Sequence, residues 1–224
     1  MLKKIFYFLI ILFCLFVIIT NLQVLIYKFI NPQNTSFMNI RKKQYLAQNK
    51  KNKKYYIWRD LSDISNNLKK AVIAAEDSNF YNHNGIDFVA IQKAFETNQK
   101  KNKIKFGGST ITQQLAKNLY LWPERSYIRK ILEAYYTLLL ELYLSKNRIL
   151  ELYLNVIEWG NGIYGAEAAA FYYFKIPAKK LSMQQSIMLA AIIPNPRKYK
   201  IYSNYVNRRT EQLSKWAYDI RLQD

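Results

Sequence analysis

The hydrophobic pattern divides the chain into an apolar opening, a polar stretch and a long amphipathic remainder. From Ile5 to Tyr27 the sequence IFYFLIILFCLFVIITNLQVLIY runs almost without a polar break, and as a helix it would measure roughly 34 Å, enough to cross a bilayer. The run is longer than the core of a cleaved signal peptide and no small-x-small cleavage site follows, so residues 1–30 read as a retained transmembrane anchor. Residues 31–57 turn polar and lysine-rich, and read as a basic, solvated connector next to the membrane. Apolar positions then return with helical spacing, so residues 58–224 read as one globular domain.

Within that domain Leu61, Ile64, Leu68, Ala71, Val72 and Ala75 recur at three and four residue steps, which predicts a helix from Trp58 that delivers Glu76 at its end. Thr110 and Gln113 have capping-box spacing ahead of Ile111, Leu115 and Leu119, which predicts the start of a second helix. Ile128–Leu144 is apolar enough to form a central helix. Ser145 opens a shorter one through NRILELYLN, AEAAAFYYF before Pro177 gives another, and Ser182 with Gln185 caps a last one that stops at Pro194. The stretch ETNQKKNKIKFGG, residues 96–108, reads as a mobile lysine-rich loop. Few segments alternate with period two and no repeat is present, so the fold class is mostly α.

Composition changes the picture in two ways. Half of the 224 residues are hydrophobic and 16% are aromatic, enough for a packed core. Lys and Arg number 34 against 15 Asp and Glu, for a formal net charge of +19, which implies an anionic partner. Basic residues flank the anchor on both sides, Lys3 and Lys4 before it and Lys28, Arg41, Lys42 and Lys43 after it, so the charge rule leaves orientation open. The one cysteine, Cys14, lies inside the anchor, and the chain has one histidine. The common zinc sites and a disulfide framework are thereby excluded. No zinc-finger or RNP pattern points to nucleic acid, and GNGIYG lacks the order of a dinucleotide fingerprint.

Three stretches could carry chemistry. In EDSNFYNHNGID, a continued helix would put Glu76, Phe80 and His83 on one face, with Glu76 desolvated beside Ala74 and Ala75 and Asp77 organising the turn. In STITQQLAKN, Ser109 and Thr110 stand at the positive end of a helix, a place suited to phosphate, and Gln113 and Gln114, four and three residues before Lys117, put amides and an ammonium on a shared face. Arg125 follows in WPERS. In RKILE, Glu133 lies within helical reach of Arg129 and Lys130. Seen alone, each stretch has a plain meaning: a solvated helix end, a capped helix, a surface ion pair.

Taken in order, AEDSNFYNHNGID, GGSTITQQLAKNLYL, RKILE, KNRILELYLNVIEWGNGIYGAEAAAFYYF and LSMQQSIMLAAIIPNPRKY resemble the motifs of the peptidoglycan glycosyltransferases, over most of residues 66–199. The resemblance implies a mostly α, lysozyme-like domain with a small membrane-hugging subdomain. It implies a growing lipid-linked glycan as donor, lipid II as acceptor, a new β-1,4 bond with inversion, and release of undecaprenyl diphosphate. By the same resemblance Glu76 is the general base and Glu133 the second essential carboxylate. Lys117 and Arg125 are the diphosphate-binding cations, with Arg129 and Lys130 in support. Ser109, Thr110, Gln114 and Asn118 line the cleft, and Asp77, Phe80 and His83 shape the turn around the base.

The implied setting is the bacterial inner membrane, single-pass, with the catalytic domain in the periplasm, membrane lipids around the anchor, and other wall-synthesis or division proteins as compatible partners. No cofactor is required, since the donor is already activated. A divalent ion at the diphosphate has no ligand cluster in the sequence to support it. The competing readings are a lytic transglycosylase or muramidase on the same fold, and a non-catalytic membrane scaffold. One departure stands out: the family usually has glutamate where this chain has Gln185, which can still close the cap with Ser182.

Overall fold

The computed structural model describes residues 1–48, 54–100 and 107–223. Helix α1, Leu2–Ile26, is about 37 Å long, apolar and largely bare of other protein, which fits a single-pass membrane anchor. Only its last turns meet the rest of the chain, where Thr20 and Val24 are buried.

The segment read as a connector is more than a linker. Thr35 accepts the backbone N–H of Met38 and starts helix α2, Ser36–Ala47. Met38 is buried in the main core, and α2 lies against helix α5, Ile111–Tyr120. So few of its residues are buried that the sequence carries no apolar period there. Residues 49–53 of the expected connector lie outside the described residues. At its far end Tyr55–Tyr56 is a strand, β1, parallel to β3, Ile163–Tyr164, which also pairs antiparallel with β2, Glu158–Gly160.

Helix α3, Asn66–Glu76, starts at a Ser65 cap, and a 3-10 turn at Leu61–Asp63 occupies part of the stretch expected to be helical from Trp58. Asp77 leaves helical geometry at φ −162°, so the turn after Glu76 is not the continuation that would align Glu76, Phe80 and His83. Helix α4, Phe88–Lys100, is capped by Asp87 Oδ1 at the N–H of Ala90, 2.8 Å. It includes residues 96–100 of the expected loop, whose residues 101–106 lie outside the described residues. Phe88, Val89 and Phe95 on α4 are exposed.

The centre is built from α5, α6, Tyr127–Tyr143, and α7, Lys146–Val156, each opened by a hydroxyl cap at Thr110, Ser126 or Ser145. The Thr110–Gln113 capping box expected from spacing is present on both arms. Helix α8, Ala166–Phe174, and helix α9, Met183–Ile192, follow, the latter with the complete Ser182–Gln185 box. Glutamine therefore closes this cap without a charge, as expected. Helix α10, Asn204–Ala217, which no motif anticipates, packs on α3 and α9. It backs the helix that ends at Glu76.

Candidate active site

Two clefts meet at Gly107 and Ser109. The smaller, about 150 Å³, is lined by the end of α3 and the start of α5 and holds Glu76. The larger, about 730 Å³, is lined by Lys117, Arg125, Arg129, Lys130 and Glu133, with Arg41 and Arg197 from other elements.

Glu76 is held by its neighbours. Gln114 Nε2 donates to Glu76 Oε2 at 2.7 Å, and the hydroxyl of fully buried Tyr153 donates to Gln114 Oε1 at 2.9 Å. Desolvation in this dense surround pushes the carboxyl from its ordinary 4.5 up to about 7, against the opposing pull of the Gln114 hydrogen bond and the charges of Arg209 and Lys117. A carboxyl of that kind is matched to proton abstraction near neutral pH. Burial also lowers the pKa of the Lys117 ammonium, with Glu133 and Glu76 acting in the opposite direction. Lys117 is thus charge-coupled to both carboxylates.

Glu133 is only 3% exposed, and each of its oxygens has a cation. Arg129 Nη1 meets Oε2 and Lys130 Nζ meets Oε1, both at 2.6 Å. A carboxylate gripped at both oxygens holds its two cations in fixed positions beside the cleft. Lys130 also reaches Ser109 Oγ at 3.4 Å, and buried Arg129 Nε has no hydrogen-bond partner among the described residues. Arg125 is exposed at the cleft edge, and Asn118 lies on the wall, donating to the carbonyl of Gln114 at 2.7 Å.

Other expected residues fall behind the walls. Phe80 is fully buried in the core, with the Lys146 ammonium 4.7 Å from its ring centre. His83 points at Asp77: its Nδ1 accepts from the N–H of Gly85, so Nε2 carries the hydrogen it gives to Asp77, at 2.9 Å. Gly85 has φ +85°, and an added Cβ would come within 2.6 Å of Thr137 Cγ2, so this turn needs glycine. Phe80 and His83 therefore brace the turn and do not share a face with Glu76.

The positive end of α5 is likewise used internally. Asp77 Oδ2 accepts the N–H of Ile111 at 3.0 Å, Thr110 Oγ1 accepts the N–H of Gln113 at 3.1 Å, and the Thr110 hydroxyl donates to the carbonyl of Gly85 at 2.5 Å. Asp77 is thus an anion already placed at this helix start, while Ser109 just before it stays open to both clefts. The cations gather instead near the other end of α5 and the start of α6. Ser109 is exposed where the two clefts join; Thr110 is buried.

Asp77, His83 and Asp87 form one group of metal-ligating type, with ligand atoms within 4.8 Å of one another, which the sequence spacing does not reveal. Asp77 is bonded to Ile111 and His83, and Asp87 to Ala90 and Asn79. These bonds tie the α3 end to α4 and α5.

Sequence reasoning missed Tyr153 as the support of Gln114, and missed Phe37, Arg41, Glu158 and Arg197 as cleft walls. Glu158 and Arg197, paired at 3.2 Å, stand within the matched EWGNG and PNPRKY stretches, so their place in quoted motifs was the available signal. Arg41 sat in the segment read as a linker.

A carboxyl with its pKa raised to about 7 beside a cation-lined cleft suits an enzyme that moves a group away from an anionic leaving group. The chain belongs to the transglycosylase family, whose model matches residues 42–219. It is 48% identical over 200 residues to a biosynthetic peptidoglycan transglycosylase of Caulobacter vibrioides, covering 88% of this chain and 84% of that one. A protein of the same name from Janthinobacterium sp. (strain Marseille) is 50% identical over 183 residues, covering 81% and 79%. One from Thiobacillus denitrificans is 54% identical over 170 residues, covering 76% and 73%.

Proposed function

We propose that this chain is a membrane-anchored peptidoglycan glycosyltransferase that polymerises lipid II into β-1,4-linked glycan. The observation that carries the reading is Glu76, held by Gln114 and Tyr153 with its pKa raised to about 7, next to a cleft of cations. Glu76 takes the proton of the acceptor sugar's 4-hydroxyl. The freed oxygen attacks the anomeric carbon of the lipid-linked donor, and the carbon–oxygen bond to the diphosphate breaks with its electron pair going to the leaving oxygen. A single displacement inverts that carbon.

Undecaprenyl diphosphate leaves already anionic, so it needs neutralisation more than a proton. Lys117 and Arg125 supply it, and Glu133 holds Arg129 and Lys130 beside them. General-base help of this type contributes roughly a hundred to ten thousandfold. This scheme uses no cofactor. Both substrates carry lipid tails, so confinement of enzyme and substrate to one bilayer raises their effective concentration. The domain then faces the periplasm from the inner membrane, and the exposed apolar residues of α4 suit contact with the lipid surface.

Purified full-length protein in detergent, incubated with labelled lipid II beside Glu76→Gln, tests the reading on a gel. Polymer from the wild type and none from the variant is the expected result. Equal polymer from both would sink the base assignment, and cleavage of preformed glycan in place of polymer would favour a lytic enzyme.

A further inference from the structure

Six cations among the described residues line the larger cleft, and three are engaged by carboxylates: Arg129 and Lys130 by Glu133, Arg197 by Glu158. Among the described residues, Lys117, Arg125 and Arg41 have no ion-pair partner. Lys117 and Arg125 belong to α5 and the loop after it. Arg41 comes from α2, one residue before the span that the family model matches.

Arg41 is held in place without being used up. Its Nη1 donates to Gln44 Oε1 at 2.8 Å, its Cζ lies 4.8 Å from the Phe37 ring centre, and its buried Nε has no hydrogen-bond partner among the described residues. A guanidinium carries five N–H donors in a planar fork suited to phosphate oxygens. The helix that presents it is fastened along its length. Thr35 caps it, Met38 is buried in the core, Gln44 Nε2 reaches Glu124 Oε1 at 3.3 Å, and the Tyr45 hydroxyl bonds to Asn161 and Arg197. Phe37 and Arg41 therefore form a fixed wall of the cleft.

We propose that Arg41 is a substrate-binding residue of the connector, a third cation that grips the leaving diphosphate together with Lys117 and Arg125. The connector helix thus completes the cleft. This rests on the reading of the cleft as a lipid-diphosphate site, and adds to it a residue from outside the matched domain. Arginine suits this place better than lysine, because a guanidinium held by Gln44 and the Phe37 ring still has N–H donors left over for phosphate oxygens.

The test is calorimetric binding of inorganic diphosphate to the full-length chain in detergent free of anionic lipid, followed by lipid II polymerisation kinetics. Arg41→Gln should weaken diphosphate binding roughly tenfold, the size of one charge-assisted hydrogen bond, and raise KM more than it lowers kcat. Arg41→Lys should fall between the two. Diphosphate binding by Arg41→Gln within twofold of the wild type overturns the proposal, as does a wild type that binds no diphosphate. Tyr45→Phe loosens the same helix and keeps the charge; an equal loss in that variant would make the effect structural and also overturn the proposal. An effect of Arg41→Gln seen only with anionic vesicles would assign Arg41 to lipid headgroups instead. Because diphosphate binding needs no turnover, a wild type that binds it but makes no polymer counts against the enzymatic reading alone.

Discussion

The side-chain amide of Gln114 links Tyr153 to Glu76: it accepts the phenol at 2.9 Å through Oε1 and donates to the carboxylate at 2.7 Å through Nε2. A rigid core residue thereby sets the direction of a carboxylate at the mouth of a cleft. The amide also favours the charged carboxylate and so opposes the desolvation that raises its pKa. Gln114→Leu should push that pKa higher still, by about one to two units if the bond contributes roughly 1.5–3 kcal/mol. The rising limb of the pH–rate profile should move to higher pH by that amount, with kcat at pH 7 reduced about five- to fiftyfold. An unmoved limb would remove Gln114 from the control of Glu76.

For the unmodified chain the same value fixes a sign. A base must be deprotonated, so activity should rise through about pH 7 and be lost below it. The folded state holds this proton more tightly than the unfolded chain, so the carboxyl costs the fold no charge burial at low pH and destabilises it as pH rises through 7. Glu76→Gln, neutral throughout, should therefore gain a few degrees in Tm over wild type at pH 8 and less at pH 5. Melting curves at the two pH values check this, and a larger gain at pH 5 would contradict the raised pKa.

Glu133 poses the opposite case, a carboxylate whose two partners differ in exposure. The Arg129 side chain is 10% exposed and that of Lys130 is 50% exposed. Glu133→Ala strands the buried guanidinium and should cost about 3–5 kcal/mol, whereas Lys130→Ala should cost under about 1 kcal/mol. A double-mutant cycle of Arg129→Ala and Glu133→Ala, read by denaturant unfolding, should return a coupling above about 1 kcal/mol. Near-additive losses would show that the buried pair does not act as a unit.

What the sequence reveals tracks what each element buries. Helices α5, α6, α7 and α9 put apolar faces into the core and carry hydroxyl caps, so period and cap are legible together. Helix α4 buries no residue, although Phe88, Ile91 and Phe95 keep helical spacing behind an Asp87 cap that was there to be read. Helix α2 buries only Met38, and the strands are two or three residues long, too short to alternate. At the site, residue types and local spacing reveal Glu76, Lys117 and the Glu133 pairs. They cannot reveal Tyr153 behind Gln114 or Arg41 across the cleft, because packing between distant segments brings those together. The helical continuation past Glu76 fails for a local reason: Asp77 turns away to hold His83 and the start of α5.

The anchor gives a last prediction, because it is fixed to the domain by hydrogen bonds from a row of tyrosines. Thr20 Oγ1 meets the Tyr135 hydroxyl at 2.7 Å, Asn21 Oδ1 accepts from Tyr143 at 2.5 Å, and Gln23 Oε1 accepts from Tyr136 at 3.1 Å, while Phe16 stacks on Tyr135 with ring centres 5.6 Å apart. Polar groups on a helix that is otherwise apolar would lack partners if α6 moved away. The anchor and α6 should therefore move as one body, which sets the height of the cleft above the bilayer. Replacing Tyr135, Tyr136 and Tyr143 together by Phe keeps the rings and removes the bonds, at about 0.5–1.5 kcal/mol each. In proteoliposomes the triple variant should raise KM for lipid II several-fold with kcat within about twofold, since Glu76 and the cations are untouched. Faster amide exchange over α6 in the variant would accompany it, whereas an unchanged KM would mean that the cleft finds its substrate whatever its height above the membrane.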